Sequence, residues 1–152
     1  MNDKQKLLDF MKSKRLMQLA TASEKPWICT VYYAIDDSFN LYFISEPTTR
    51  HCKDIKTNPN VAVAVTDSRQ NVKDKKVGVQ LQGTAFVVKD KNEMLHAVAL
   101  WNKAMPGIES IITVENIESG KINSNVCTIK PKLIKFFNER LYGPEGVKVF
   151  EF

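Results

Sequence analysis

Between Val77 and Val88 the chain alternates. Val77, Val79, Leu81, Gly83 and Ala85 fall on one side, and Gly78, Gln80, Gln82 and Thr84 on the other. A period of two sustained over that length describes a β-strand with one buried face and excludes an amphipathic helix. Such a strand needs partners, and the sequence supplies them. Leu16–Ala22, Ile28–Ile35, Phe39–Ser45, Val61–Thr66 and Val126–Phe137 all show strand character. Ser23-Glu24-Lys25-Pro26 and Asp36-Asp37-Ser38 are turn sequences short enough to join antiparallel neighbours. Pro131 confines its part of the last strand to an edge or a bulge, because proline has no N–H to give to a ladder. The expected fold is mainly β with some helix (α+β): a small, mostly antiparallel barrel with peripheral helices.

The helices are fewer. Asn2 or Asp3 caps an opening helix that carries Leu7, Phe10 and Met11 on one face. Asp90, with Glu93 three residues on, opens a second in which Met94, Leu95, Val98, Trp101 and Met105 recur at helical spacing. That stripe reads as core, and His96 lies off it, at the rim with no catalytic partner. Met105-Pro106-Gly107 ends the helix. Ile108, Ile111 and Ile112 predict a short helical segment, followed by irregular chain from Glu115 to Asn125. The apolar tail Val147–Phe152 must pack on the barrel or on a neighbour.

Two strands are apolar on both faces. Trp27, Cys29, Val31, Tyr33 and Ile35 share one side, and Ile28, Thr30, Tyr32 and Ala34 the other, so cover is expected on both. In Val61–Thr66 one side carries only Ala62 and Ala64, which leaves room for a flat ligand or a close subunit contact, or else forms a tight barrel wall.

The stretch Phe43–Pro59 concentrates the chemistry. Pro47 stops the strand, Thr48 or Thr49 can cap a helix, and Asn58-Pro59 ends it. Thr49, Arg50 and His51 therefore stand in a first helical turn, among unpaired N–H groups at the positive end of the helix dipole. That is the recipe for an anion site, most naturally a phosphate. Adjacent residues on a helix point apart, so His51 and Cys52 are not expected to act as a dyad. Cys52 reads as a buried packing residue, although its place near a helix N-terminus could lower its pKa. The amides of Gln80 and Gln82 are either solvated surface or donors and acceptors for a polar ring edge.

A hydrophobic strand, a Thr-Arg-His triplet, Asn-Pro, a Val/Ala strand and the later Gly78-Val79-Gln80-Leu81-Gln82-Gly83 resemble the pyridoxamine-5′-phosphate-oxidase-like family of FMN-binding split barrels, within it a small bacterial branch of uncharacterised function. The resemblance covers most of the chain. It implies a homodimer with FMN at the interface, held by Cys29, Thr30, Val31, Ile44, Ser45, Thr48, Thr49, Arg50, His51 and Gln80, the triplet lying near the phosphate. It implies a flavin-dependent oxidoreductase of unknown substrate, or, as an alternative, a non-catalytic binder of flavin, haem or another planar anion. In pyridoxamine-phosphate oxidation an arginine opens the strand beside the flavin and a second basic residue follows the Ser-Arg pair. Trp27 and His51 stand at those places, so that particular reaction is not implied.

Composition narrows the classes further. A chain of 152 residues with 43% hydrophobic and 26% charged residues suits one domain, residues 1–152, that needs no staples. Three scattered cysteines and two histidines show neither a disulfide framework nor metal-ligand spacing, and a reducing cytoplasm is the expected setting. The net charge of +5 is spread along the chain, with one interrupted cluster at Lys73–Lys76. No nucleic-acid motif accompanies it, no stretch is long enough to span a membrane, and the expected partners are small molecules and a second copy.

Overall fold

The computed structural model describes residues 1–152. In chain order the elements are α1 (Asp3–Lys12), β1 (Leu16–Ala22), β2 (Pro26–Tyr32), β3 (Ala34–Ile35), β4 (Leu41–Ser45), α2 (Arg50–Thr57), β5 (Asn60–Thr66) and β6 (Val77–Val87). There follow α3 (Lys91–Ala104), α4 (Val114–Glu118), β7 (Asn125–Asn138), α5 (Glu139–Tyr142) and β8 (Val147–Glu151). The strands form one curled, wholly antiparallel sheet in the order β2-β1-β5-β6-β7-β4-β3, with β8 on the outer half of β7. The hydrogen-bonded path does not close. Tyr33 alone separates β2 at one edge from β3 at the other, so the chain itself draws the two edges together into a split barrel.

β6 and β7 form the central seam, and the alternation of β6 is realised in it. Val77, Val79, Leu81 and Ala85 are buried while Gln80 and Gln82 are exposed. Between Gln82 and Gly83 the register slips where β7 presents Pro131, so the proline sits at a bulge. Gly83 permits this. A side chain there would meet the Lys130 carbonyl oxygen at 2.4 Å.

Inside the curl, a core of 22 buried residues runs from Leu7, Leu8 and Met11 of α1 through Met17, Leu19, Phe43 and Val65 to Ile134 and Phe136. Each such side chain gains about 1.5–3 kcal/mol by leaving water, before chain entropy is counted. α1 begins where Asn2 Oδ1 accepts from the Gln5 N–H at 2.8 Å. A second cluster lies under α3, where Ala97 and Val98 meet Tyr42, Val88 and Val126, and Asp90 caps that helix by accepting from the Glu93 N–H.

One expectation needs correction. The helical turn expected at Ile108–Ile112 forms later, at Val114–Glu118. Gly107 adopts φ +118°, which favours a turn, and the Thr113 hydroxyl caps the Asn116 N–H at 3.0 Å. The outer face of β2 is left open by this chain, with Ile28 63% and Tyr32 56% exposed, so cover there falls to a ligand or a second copy. His96 is at the rim, with its Nε2 3.4 Å from the Asp36 carboxylate and its ring edge-on to Tyr42. The tail Val147–Glu151 pairs with β7 as strand β8, and Phe152 rests against Phe39. No helix is long and apolar enough to cross a membrane.

Candidate functional site

Pro47 and the turn after it deliver the chain into α2 with Thr49 as N-cap, in extended conformation. The cap is incomplete. The Thr49 hydroxyl donates to the Glu46 carbonyl at 2.8 Å and makes no bond to a backbone N–H of the helix. The first bond into Thr49's carbonyl comes from the Lys53 N–H at 3.1 Å. The N–H groups of Arg50, His51 and Cys52 thus have no acceptor within the helix, and the positive end of its dipole is open.

Arg50 leans back along the helix. Its Nε donates to both carboxylate oxygens of Asp54, at 2.9 and 3.1 Å, and its Nη2 to the Lys25 carbonyl at 3.3 Å. The guanidinium carbon lies 5.2 Å from the centre of the Trp27 ring, a cation–π contact. Asp54 is buried and also accepts from the Thr21 hydroxyl at 2.9 Å. Burial pushes this carboxyl up, yet the bonds from Arg50, Thr21 and Ser23 hold it below the ordinary range. The buried carboxylate therefore fixes the Nε edge of Arg50, the Lys25 carbonyl engages Nη2, and Nη1 is left for a ligand.

His51 turns inward. It is 8% exposed, with Nε2 2.9 Å from Ser45 Oγ and 3.3 Å from Thr49 Oγ1, and its ring centre is 6.2 Å from that of Phe43. Its ring nitrogen meets hydroxyls, and two thiols, Cys29 and Cys52, act on its titration. The Cys29 thiol first, and then Cys52, raise its pKa to about 9 against the effect of burial. Cys52 in turn faces the Cys127 thiol, whose hydrogen bond is the main cause of lowering it to about 4; burial opposes, and His51 and the Thr49 hydroxyl reinforce the shift. Cys127 moves the other way, pushed up by its hydrogen bond with Cys52, by its own burial and by the charge on Cys52. The shifts of His51 and Cys52 run in the directions that favour an imidazolium beside a thiolate.

The structure brings Cys29, Ser45, Thr49, Arg50 and His51 to the N-terminus of α2. Thr48 is exposed in the turn before it, and Val31 lies on the inner side of β2 against the core. Ile44 points to the other face of β4, toward α3. Thr30 and Gln80 lie elsewhere again, on the outer face of the sheet. Register places Thr30, Gln18, Ala64 and Gln80 in one row across β2, β1, β5 and β6, with Ile28, Ala20, Ala62 and Gln82 in the next. Beside these rows a groove of roughly 470 Å³ is lined by Ala20, Ala22, Pro26, Ala62, Gln82 and Lys132, among others. The sequence reading missed Cys52, Cys127, Asp54 and Trp27 as members of the cluster. For Asp54 a signal existed, since Arg50 and Asp54 stand at i and i+4.

The sequence pattern of the family described as pyridoxamine 5'-phosphate oxidase matches residues 3–138. No protein of curated function matches the sequence. Among solved structures, the fold is similar to a heme binding protein from Mycobacterium smegmatis, with a TM-score of 0.77 and 15% identity over 99% of this chain. That protein is longer, and the match spans 58% of it. The heme storage protein of Vibrio cholerae superposes with a TM-score of 0.72 and 14% identity, over 91% of this chain and 96% of the other. The General Stress Protein 26 of Bacillus anthracis matches over the whole of both chains, with a TM-score of 0.69 and 19% identity. With the split barrel, the Thr49–His51 turn and a sequence match over nearly the whole chain in agreement, the chain belongs to the pyridoxamine 5'-phosphate oxidase family.

Proposed function

We propose that this chain is a binding protein for a planar, anionic cofactor, flavin or haem, with the cofactor's phosphate or carboxylate held at the N-terminus of α2 and its ring system against the outer face of the sheet. The observation that carries this reading is the open start of α2. Three N–H groups lack an intrahelical acceptor, the cap hydroxyl is turned away, and Arg50 and a protonated His51 stand beside them. Those donors suit a phosphate: Arg50 keeps Nη1 free while Asp54 holds its Nε edge and the Lys25 carbonyl its Nη2, and His51 contributes positive charge. The two adjacent rows that carry Ala64, and Ala20 with Ala62, offer the small side chains that a flat ring needs, with the exposed Gln80 and Gln82 at their edge. The names of the two haem-related proteins of similar fold support the planar-ligand class.

A second copy of the chain completes this site in our reading. The outer face of β2, with Ile28 and Tyr32 exposed, is apolar enough to be a two-fold interface and borders the groove. Three free cysteines accord with a reducing compartment such as the cytoplasm.

The family match favours a second reading, an FMN-dependent oxidoreductase of unknown substrate. Bound FMN would supply the hydride or electron chemistry. Arg50, His51 and the helix N–H groups would hold its phosphate, and the sheet face would exclude water from the ring. The visible spectrum of the purified protein, followed by titration with FMN, riboflavin and haemin, tests the first reading. Micromolar or tighter binding of FMN with much weaker riboflavin, or a shifted Soret band with haemin, is expected. Protein that binds none of the three refutes it. NAD(P)H oxidation by the FMN-loaded protein separates the second reading from a pure carrier.

A further inference from the structure

Where the sheet ends at β3, two helix ends lean over it. β3 is two residues long, pairs only with β4, and has both α1 and α3 packed against it. Between the last turn of α1, with Met11 and Lys12, and the last turns of α3, with Leu100, Lys103 and Ala104, lies a cavity of about 220 Å³. None of its lining residues belongs to the start of α2 or to the groove on the sheet face.

Floor and rim differ in kind. Met11, Tyr33, Ala34 and Ile35 form a buried floor, and Leu100 and Ala104 a half-buried wall. The Tyr33 hydroxyl donates to the Met11 carbonyl at 2.6 Å, so the floor offers no free side-chain donor. Around the opening stand Lys12, Lys14, Arg15 and Lys103. Lys12 bonds the Asp37 carboxylate, and Lys14 that of Asp67 at 3.1 Å. Arg15 is anchored where its carbonyl accepts from the Tyr33 N–H at 2.9 Å. It gives Nη1 to the Lys12 and Lys14 carbonyls, at 3.1 and 3.4 Å, and meets no carboxylate. Lys103 is exposed and makes no ion pair. Four cations against two carboxylates leave two positive charges over an apolar floor.

We propose that this cavity binds a small amphipathic carboxylate, a short acyl or aromatic acid, with its apolar body on Met11, Tyr33 and Ile35 and its carboxylate between Arg15 and Lys103. The chemistry selects that class. An apolar body gains by leaving water, and a polar one would find no buried partner. Two unpaired cations at the rim favour an anionic head, and the guanidinium fork of Arg15 matches a carboxylate. Capping accounts for cations at two helix C-termini, but it does not call for an apolar cavity beneath them. The volume lies below the roughly 300 Å³ from which pockets take drug-sized molecules, so flavin and haem belong elsewhere.

Calorimetric titration of the full chain with hexanoate, heptanoate, octanoate and octanol tests this. Affinity is expected to rise roughly fourfold per methylene along the acids, the scale of burying one CH₂ group. Octanoate is expected to bind at least about tenfold tighter than octanol, which has the same chain and no charge. With Arg15→Gln and Lys103→Gln combined, octanoate should fall to the affinity of octanol, while octanol itself stays within about twofold. Amide signals of Tyr33, Ala34, Ile35, Leu100 and Ala104 are expected to move as octanoate is added. Octanol binding as tightly as octanoate, signals moving instead at the start of α2, or no saturation by octanoate in the millimolar range would overturn the proposal. The unsubstituted protein decides this even if the double variant fails to fold.

Discussion

Gly83→Ala is the substitution from which the central seam should suffer most. At this position β6 bulges past Pro131, and a Cβ would lie 2.4 Å from the Lys130 carbonyl oxygen and 3.1 Å from two further backbone atoms of β7. All three are main chain, so no side chain can swing aside. Restoring an ordinary contact of about 3.4 Å requires the strands to part by about 1 Å at the middle of the longest ladder. Overpacking of this kind costs about 1–3 kcal/mol, and the smaller unfolded-state entropy of alanine returns about 0.5–1 kcal/mol. The net loss of about 1–2 kcal/mol corresponds to a Tm lower by roughly 3–8 °C for a domain of this size. Gly78→Ala is the internal control. Its Cβ meets the tip of the Phe137 ring, also at 2.4 Å, but that ring is half-buried and can turn. Thermal melts followed by circular dichroism, with urea midpoints at unchanged slope, measure both. A Gly83→Ala protein that melts within about 1 °C of the parent, or less affected than Gly78→Ala, refutes the close-approach argument.

Arg50→Ala is expected to weaken FMN by roughly ten- to a hundredfold, the scale of one charge-assisted hydrogen bond, and to leave riboflavin nearly unaffected; paired titrations read it, and equal losses count against a phosphate at α2. The stability that Cys52 gains from its lowered pKa is fully present above the ordinary thiol value and is lost as pH falls through about 4, whereas that of His51 is present below the free imidazole value and is lost as pH rises through about 9. The gap in urea midpoint between parent and Cys52→Ser is therefore expected to shrink steadily from pH 8 toward pH 4, and a constant gap contradicts the ion pair. Asn138 Oδ1 accepts from the Arg140 and Leu141 N–H groups, both at 3.1 Å, so Asn138→Ala removes the cap of α5 and is expected to cost about 1 kcal/mol by thermal melting. Ala62→Arg places a charged side chain on the small-residue row, and light scattering is expected to report a dimer for the parent and a monomer for the variant.

Where the sequence spoke through period and punctuation, the structure follows it closely. The alternation of β6, the bulge at Pro131 and the Asp90 cap all rest on local chemistry that one stretch of chain carries by itself, whereas Thr49 takes the N-cap position with its hydroxyl on the Glu46 carbonyl instead of a helix N–H. Ile108, Ile111 and Ile112 misled because their spacing imitates a helix, while the start signal, Thr113 with Asn116 beyond it, stood one turn later. The double apolar face of β2 was legible, but a sequence cannot tell whether its own chain supplies the cover. The place of Cys127 was beyond reach for a different reason. It comes opposite Phe43 only because β4 pairs with β7, and no local pattern encodes that non-local register. The distinct positions of Ile44 and Ser45 follow from their alternate sides of β4, a distinction that the family resemblance alone does not make.

The seam at β7 also sets an order in time. β4 uses residues 41–45 and, apart from the two residues of β3, finds its partner at residues 125–129, while β1 pairs with β2 and β5 pairs with β6 across short connections. A chain emerging from the ribosome can therefore form the β1–β2 and β5–β6 hairpins early, with β4 held only by the two residues of β3 until β7 appears. Closing that long loop is the entropically costly step, and it is repaid only when β7 zips against β6 and β4 together. β4 thus settles last, and with it the Ser45 hydroxyl that meets His51. In a refolding experiment, protection of the Cys127 thiol, buried in the folded chain, from alkylation is expected to lag behind the β-sheet signal of the early hairpins.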